Sequence, residues 1–215
     1  MTVISFDTLP KVIPVFPLAG ALLLPRGRMP LHIFEPRYLA MIDDALRHHR
    51  IIGMIQPTSN TERLPSLYSI GCLGKLTSWT ETDDGRYMVS LTGLTRFRVE
   101  QEFETATPYR QVKANFDPYV RDFTPDTDES CVDRKRLAAS LKTFFKQREM
   151  ENFWPSMEQF PGEELINSLS MICPFATAEK QALLEASTLA DRAHLLTALI
   201  EMTAAAHGGP AGALQ

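Results

Sequence analysis

The segment PLHIFEPRY, residues 30–38, places His32, Glu35, Arg37 and Tyr38 within one short stretch. An imidazole, a carboxylate and a guanidinium this close together are the materials of acid–base chemistry. Downstream, Asp44 and His48 are four residues apart. On a helix that spacing puts them on one face, where they could share a metal ion. The alternative is a solvated helix end whose imidazoles, His48 and His49, complement the negative end of the dipole. SIGCLGKL, residues 69–76, approaches a phosphate-binding loop. It carries Ser69 where the first glycine belongs and Leu76 where a hydroxyl must hold Mg²⁺. Neither GxSxG nor HExxH occurs. Arg96 and Arg98 could form a basic stripe for phosphates, or a solvated strand face that Glu100 continues. His194, beside Leu195 and Leu196, reads as packed or surface rather than catalytic.

Local patterning gives these residues a structural setting. Leu31 and Ile33 alternate with His32 and Phe34, as in a short strand. Pro36 then stands where a helix begins, because its missing N–H is not needed in the first turn. Glu35 lies beside the positive end of that helix, and Tyr38, Leu39, Ile42 and Leu46 form its apolar stripe over residues 36–48. PLHIFEPRY is therefore expected to be a strand-to-helix corner, with His32, Glu35, Pro36, Arg37 and Tyr38 as structural residues.

Strand signals dominate the rest of the first half. Residues 11–18 read as a strand that Pro14 confines to an edge or barrel rim. Residues 51–57 read as a short buried strand. Two long strands, 70–82 and 86–104, flank DDG, whose Gly85 can take the positive φ of a hairpin turn. Gly93 interrupts the second, and the alternation changes phase there, which predicts a bulge or barrel bend. Residues 109–116 form one more strand. An acidic, proline-containing linker at 122–130 divides this β-rich part, residues 1–121, from a helical bundle at 131–206. Its helices are marked by Leu137, Leu141, Phe144 and Phe145, then by residues 161–172, by 177–185 with Thr177 as cap, and by 188–206. Thr188 and Asp191 stand there at capping-box spacing. Residues 207–215 read as a disordered tail. The fold class is α+β.

Of 215 residues, 44% are hydrophobic and 22% charged, which is enough to bury a sizeable core. Through Val120 there are 13 Lys and Arg against 12 Asp and Glu; beyond it, 9 against 14, for a net charge of −4. That balance lacks the basic footprint of a nucleic-acid binder. Cys72, Cys131 and Cys173 are odd in number and far apart, which argues against disulfides and structural zinc and suits a reducing cytoplasm. No run reaches the roughly 18 apolar residues of a membrane span. The apolar stretch IPVFPLAGALLLP is broken by Pro14 and Pro17 and lacks a cleavage site, so a signal peptide is not expected.

The stretch IPVFPLAGALLLPRGRMPLHIFEPRYLAMIDDAL, residues 13–46, closely resembles the N-terminal domain of the ATP-dependent protease Lon, the LON substrate-binding domain. IGCLGKL (70–76), the hairpin at 84–99, Pro108-Tyr109 and residues 180–196 extend the resemblance over about residues 12–202. It implies a six-stranded, PUA-like pseudo-barrel followed by a helical bundle. It also implies a domain that helps recognise protein substrates and assemble the protease, and performs no hydrolysis itself. The ATPase and Ser–Lys protease modules of Lon find no counterpart in this sequence. The expected function is a non-catalytic module that binds unfolded or exposed-apolar polypeptide, with Lon or another protease as a partner and with no cofactor. The alternative is an RNA- or nucleotide-binding protein, by analogy with PUA-like folds; the acidic balance opposes it. Trp79 is the leading partner-binding residue, expected in phase with Lys75, Thr77 and Glu81 on a polar face near the hairpin tip, with Met88 as a second, adaptable contact. A core position is the competing reading for Trp79.

Overall fold

A computed structural model describes residues 5–59, 64–128, 130, 132–146 and 159–208. Cys131 and the tail from residue 209 lie outside them. Six strands, β1 (Val12–Pro17), β2 (Arg28–Ile33), β3 (Ile51–Ile55), β4 (Ile70–Glu81), β5 (Tyr87–Phe103) and β6 (Arg110–Asn115), form one mixed sheet in the order β2-β5-β4-β3-β1-β6. The β1–β3 pair is parallel and the others antiparallel. A further pairing of β5 with β6 closes the sheet on itself. Strand β5 makes this possible because its length serves different partners. Residues up to Thr92 carry β2, and residues from Arg98 carry β6.

Gly93 sits at the change of partner. The register moves from Leu73↔Thr95 to Gly74↔Gly93, so Leu94 is an extra residue, as in a β-bulge. A Cβ at Gly93 would lie 2.0 Å from the Leu24 carbonyl oxygen, so only glycine lets the 24–27 loop approach. That loop is held there by Arg26 N–H to Gly93 O at 2.8 Å and Gly93 N–H to Gly27 O at 2.9 Å. At the hairpin tip Gly85 has φ 75°, and the turn closes with Gly85 N–H on Thr82 O.

Pro14 does not mark an edge. Strand β1 lies between β3 and β6, but its pairing with β3 begins only at Val15, so the missing N–H of Pro14 falls where no β3 partner is required. Inside the closed sheet, Ile13, Val15, Leu73, Phe97 and Val112 form the core. Helix α1 (Pro36–Arg47) buries Tyr38, Met41, Ile42 and Ala45.

The chain divides into two compact units. The first comprises the chain through Pro125 together with Pro174–Leu184. It therefore includes most of helix α4 (Thr177–Glu185), which sequence patterning assigns to the helical part. The reason is polar as well as apolar. Gln181 is buried and bonded to Gln56 at 3.0 Å and to the Ile70 carbonyl at 3.1 Å, while Gln56 reaches the Thr177 carbonyl. The β-rich unit also runs past the expected boundary at residue 121. A 3₁₀ segment, Asp117–Phe123, carries Asp122 into it.

In the second unit, α5 (Leu189–Gly208) packs against α2 (Arg134–Lys146) and α3 (Gly162–Ile172). Arg136 forms a two-pronged pair with Glu201, at 2.8 and 2.9 Å. The capping box at Thr188 and Asp191 forms in both directions. Thr177 does not cap α4; it is the first helical residue, and Glu179 reaches back to the Ala176 N–H at 2.7 Å. Helix α5 continues to Gly208, beyond the residue at which a disordered tail is expected.

Candidate functional site: an exposed apolar sheet face

Register decides which side chains share a face. In an antiparallel pair, opposed residues point the same way and neighbours along a strand point opposite ways. Met88 faces His32 on β2 and Thr80 on β4. Phe34 lies two residues past His32, with the two rings 5.9 Å apart. Met88 is 48% exposed and Phe34 59% exposed, and His32 is also open to solvent. An imidazole, a thioether and a phenyl ring thus stand on one solvent face of β2, β5 and β4.

Trp79 is not part of that face. The register shifts at Thr77, between Leu76↔Leu91 and Ser78↔Ser90. This shift breaks the expected phase with Lys75 and Thr77 and puts Trp79 opposite Val89, on the side that carries Leu91. The end of the hairpin projects past the core, so Trp79 remains 40% exposed, with the Arg50 guanidinium 4.7 Å from its ring centre. Arg50 holds that position with φ 57°, a left-handed conformation that costs a non-glycine residue free energy. Trp79 and Met88 therefore lie on opposite faces.

The PLHIFEPRY segment forms the strand-to-helix corner. Pro36 opens α1 and Glu35 is its N-cap residue, but the Glu35 side chain accepts no bond from a helix N–H. It pairs with Arg37 instead, at 2.9 Å. Arg37 in turn stacks on Tyr38, 4.5 Å from the ring centre, and Tyr38 packs against Phe16 with centroids 4.1 Å apart. Burial raises the Tyr38 pKa above that of a free phenol. These groups are engaged with one another and present no acid–base pair to a cleft.

Two further groups have structural employment. Asp43 and Asp44 accept hydrogen bonds from Tyr87 (2.9 Å) and Tyr109 (2.8 Å), so Asp44 is committed to a phenol rather than turned toward His48. Among the described residues no cluster of three His, Cys, Asp or Glu side chains could hold a metal. Arg96 is neither a basic stripe nor a solvated face. It is 6% exposed, binds both Asp122 oxygens at 2.9 Å and reaches the Leu184 carbonyl at 3.2 Å. The Leu94 bulge sets it on the sheet face opposite Phe97 and the core, where the Tyr119 ring centre lies 4.8 Å away and Asp122, expected in a linker, neutralises it. His194 is exposed on α5.

Phe34 is the site residue that sequence reasoning passed over. Its alternation with Ile33 was visible, but whether that face stays uncovered depends on what packs over it in the folded chain.

A closed mixed sheet and a set of helices define an α+β fold. Residues 12–202 match the ATP-dependent protease La (LON) substrate-binding domain, and the chain belongs to that family. Lon protease 2 of Myxococcus xanthus is 28% identical over 210 residues, covering 92% of this chain and 24% of that protein. Lon protease of Dictyoglomus thermophilum is 27% identical, covering 88% and 24%. The chain thus spans about a quarter of the length of these relatives. The fold resembles the Lon N-terminal domain protein from Xanthomonas campestris, with a TM-score of 0.60, 18% identity, and coverage of 87% of this chain and 97% of that one. It also resembles the N-terminal domain of Mycobacterium avium complex Lon protease, with a TM-score of 0.62, 15% identity, and coverage of 88% and 98%.

Proposed function

We propose that this domain is a PUA-like, non-catalytic recognition module that binds unfolded or exposed-apolar polypeptide, as the Lon substrate-binding family name suggests. The observation that carries this reading is the solvent-facing group of Phe34, Met88 and His32. Two large apolar side chains on an open sheet face lose their hydration only when a partner covers them, at about 25 cal/mol per Å² buried. Methionine adds adaptability to varied sequences. Delivery of that polypeptide to Lon or another protease is the accompanying proposal. The three widely spaced cysteines, with Cys72 and Cys173 buried, suit a reducing compartment such as the cytoplasm. RNA binding is disfavoured by the net charge of −4 and by the commitment of Arg96 to Asp122.

Binding of a reduced, carboxymethylated model protein, followed by fluorescence anisotropy, tests the reading. Combined Phe34→Ser and Met88→Ser substitution should weaken binding tenfold or more while the melting temperature holds within a few degrees. Equal affinity in parent and variant would refute this face as the contact. Neither ATP hydrolysis nor casein cleavage is expected above buffer from the purified chain.

A further inference from the structure

A second feature of the β-rich unit is an open groove of about 640 Å³ at the far end of β5, within the size range of ligand clefts. It exists because the chain before β4 turns away. Leu67 bridges to Pro57, Thr58 N–H bonds Ser66 O at 2.8 Å, and Tyr68 N–H bonds Gln56 O at 3.0 Å. Residues 66–68 are thereby drawn off β5. The last link is Val99 N–H to Ser69 O at 2.8 Å. From Gln101 to Phe103 β5 pairs with β6 alone, and among the described residues its other edge has no backbone partner. Leu67, Tyr68, Val99 and Phe103 supply apolar and aromatic walls. Arg110 ties the two sides together, bonding Pro65 O at 2.7 Å and Glu102 at 2.6 Å.

The charges of the groove are not balanced. Of its two lining carboxylates, Glu102 is matched by Arg110, whereas Glu104 has no ion-pair partner among the described residues. A free strand edge offers backbone donors and acceptors in a row, an aromatic wall accepts an apolar side chain, and a lone carboxylate favours a cation.

We propose that this groove accepts an extended stretch of polypeptide, which adds as a strand to β5 with an apolar side chain against Phe103 and Tyr68 and a Lys or Arg at Glu104. The inference rests on the polypeptide-recognition reading and gives it a backbone-directed site apart from the Phe34 face. Occupancy would therefore depend on the extended conformation and a basic residue more than on overall apolarity.

The intact protein is titrated into a fluorescein-labelled decapeptide of alternating Thr and Val carrying one Phe and one Lys. Two companion peptides are N-methylated along opposite edges. One methylated edge should weaken binding at least tenfold and the other leave it little changed, because an added strand uses one edge only. Glu104→Lys should weaken the parent peptide at least fivefold with an unchanged melting curve. Equal binding by all three peptides, or indifference to Glu104→Lys, overturns the groove proposal. If Glu104→Lys instead abolishes a concentration-dependent dimer in gel filtration, the edge pairs with a second copy and the proposal also falls. Failure of both the decapeptide and the carboxymethylated protein to bind removes the recognition reading itself. Retained binding of the carboxymethylated protein alone removes only the groove.

Discussion

Trp79 and the Glu35–Arg37 pair show how much neighbours decide. A tryptophan 40% exposed, with a guanidinium across its ring, is neither a surface ornament nor a core anchor. Trp79→Ala is expected to cost about 1–2 kcal/mol, between ordinary surface changes and the 3–5 kcal/mol typical of a buried tryptophan. Urea unfolding measures this, and a loss above about 3 kcal/mol would place the ring in the core. Glu35 and Arg37 pair in water, with each side chain nearly half exposed. Such pairs contribute about 0–1 kcal/mol, and no cap bond adds to it. Glu35→Ala should therefore shift the urea midpoint little; a loss of 2 kcal/mol would mean that Glu35 does cap the helix.

Helix α1 is fastened to the sheet by phenols. Tyr87 on β5 bonds Asp43, and Tyr109 just before β6 bonds Asp44. The Tyr109 pKa is pushed up to about 12, first by burial, then by its bond to Asp44 and that carboxylate's charge. The hydrogen bond to Asp43 raises Tyr87 in the same direction. A phenol whose folded pKa lies above its unfolded value of about 10 favours folding while protonated in both states. Between pH 10 and 12 the unfolded chain releases protons that the folded one retains, so stability falls as pH rises through that window. Urea midpoints from pH 9 to 12 should decline, and Tyr109→Phe should flatten the decline. A parallel decline in the variant would show that Tyr109 contributes none of it. At the bend of β5, Gly93→Ala has no room against Leu24 O, and the 24–27 loop must move. A loss of several kcal/mol, comparable to overpacking a core, is expected by urea titration.

For the molecule as a whole, the instructive feature is that the first unit is not contiguous in sequence. A fragment ending at residue 125 lacks Gln181, the Leu184 carbonyl that Arg96 uses, and the buried side chains of Leu183 and Leu184. Each leucine contributes about 1.5–3 kcal/mol of burial. The fragment is expected to unfold at a clearly lower urea concentration than the β-rich unit of the full chain, followed by circular dichroism. An unchanged midpoint would mean that Pro174–Leu184 adds nothing to that unit.

Local signals were sufficient for whatever depends on a few neighbouring residues. Alternation in the strands, Gly85 in its turn, Pro36 opening α1 and the Thr188–Asp191 box all act within three or four positions, so the residues themselves carry the information. The α+β order was legible for the same reason, while membership of the Lon substrate-binding family was legible through the resemblance of residues 13–46 to that domain. What the sequence did not show arises from pairing across long separations. The bulges at Leu94 and Thr77 put Arg96 on the face away from Phe97 and the core and Trp79 on the opposite face from Met88, and a one-residue shift in register reverses every side chain beyond it. Asp122 reads as a linker acid until Arg96, 26 residues away, is beside it. Phe34 becomes a surface contact only because nothing in the folded unit packs over it, and the groove exists only because residues 66–68 pair with residues 56–58 instead of β5. Exposure and free edges belong to the assembled sheet, since a face is open where nothing packs over it and an edge is free where no strand pairs with it.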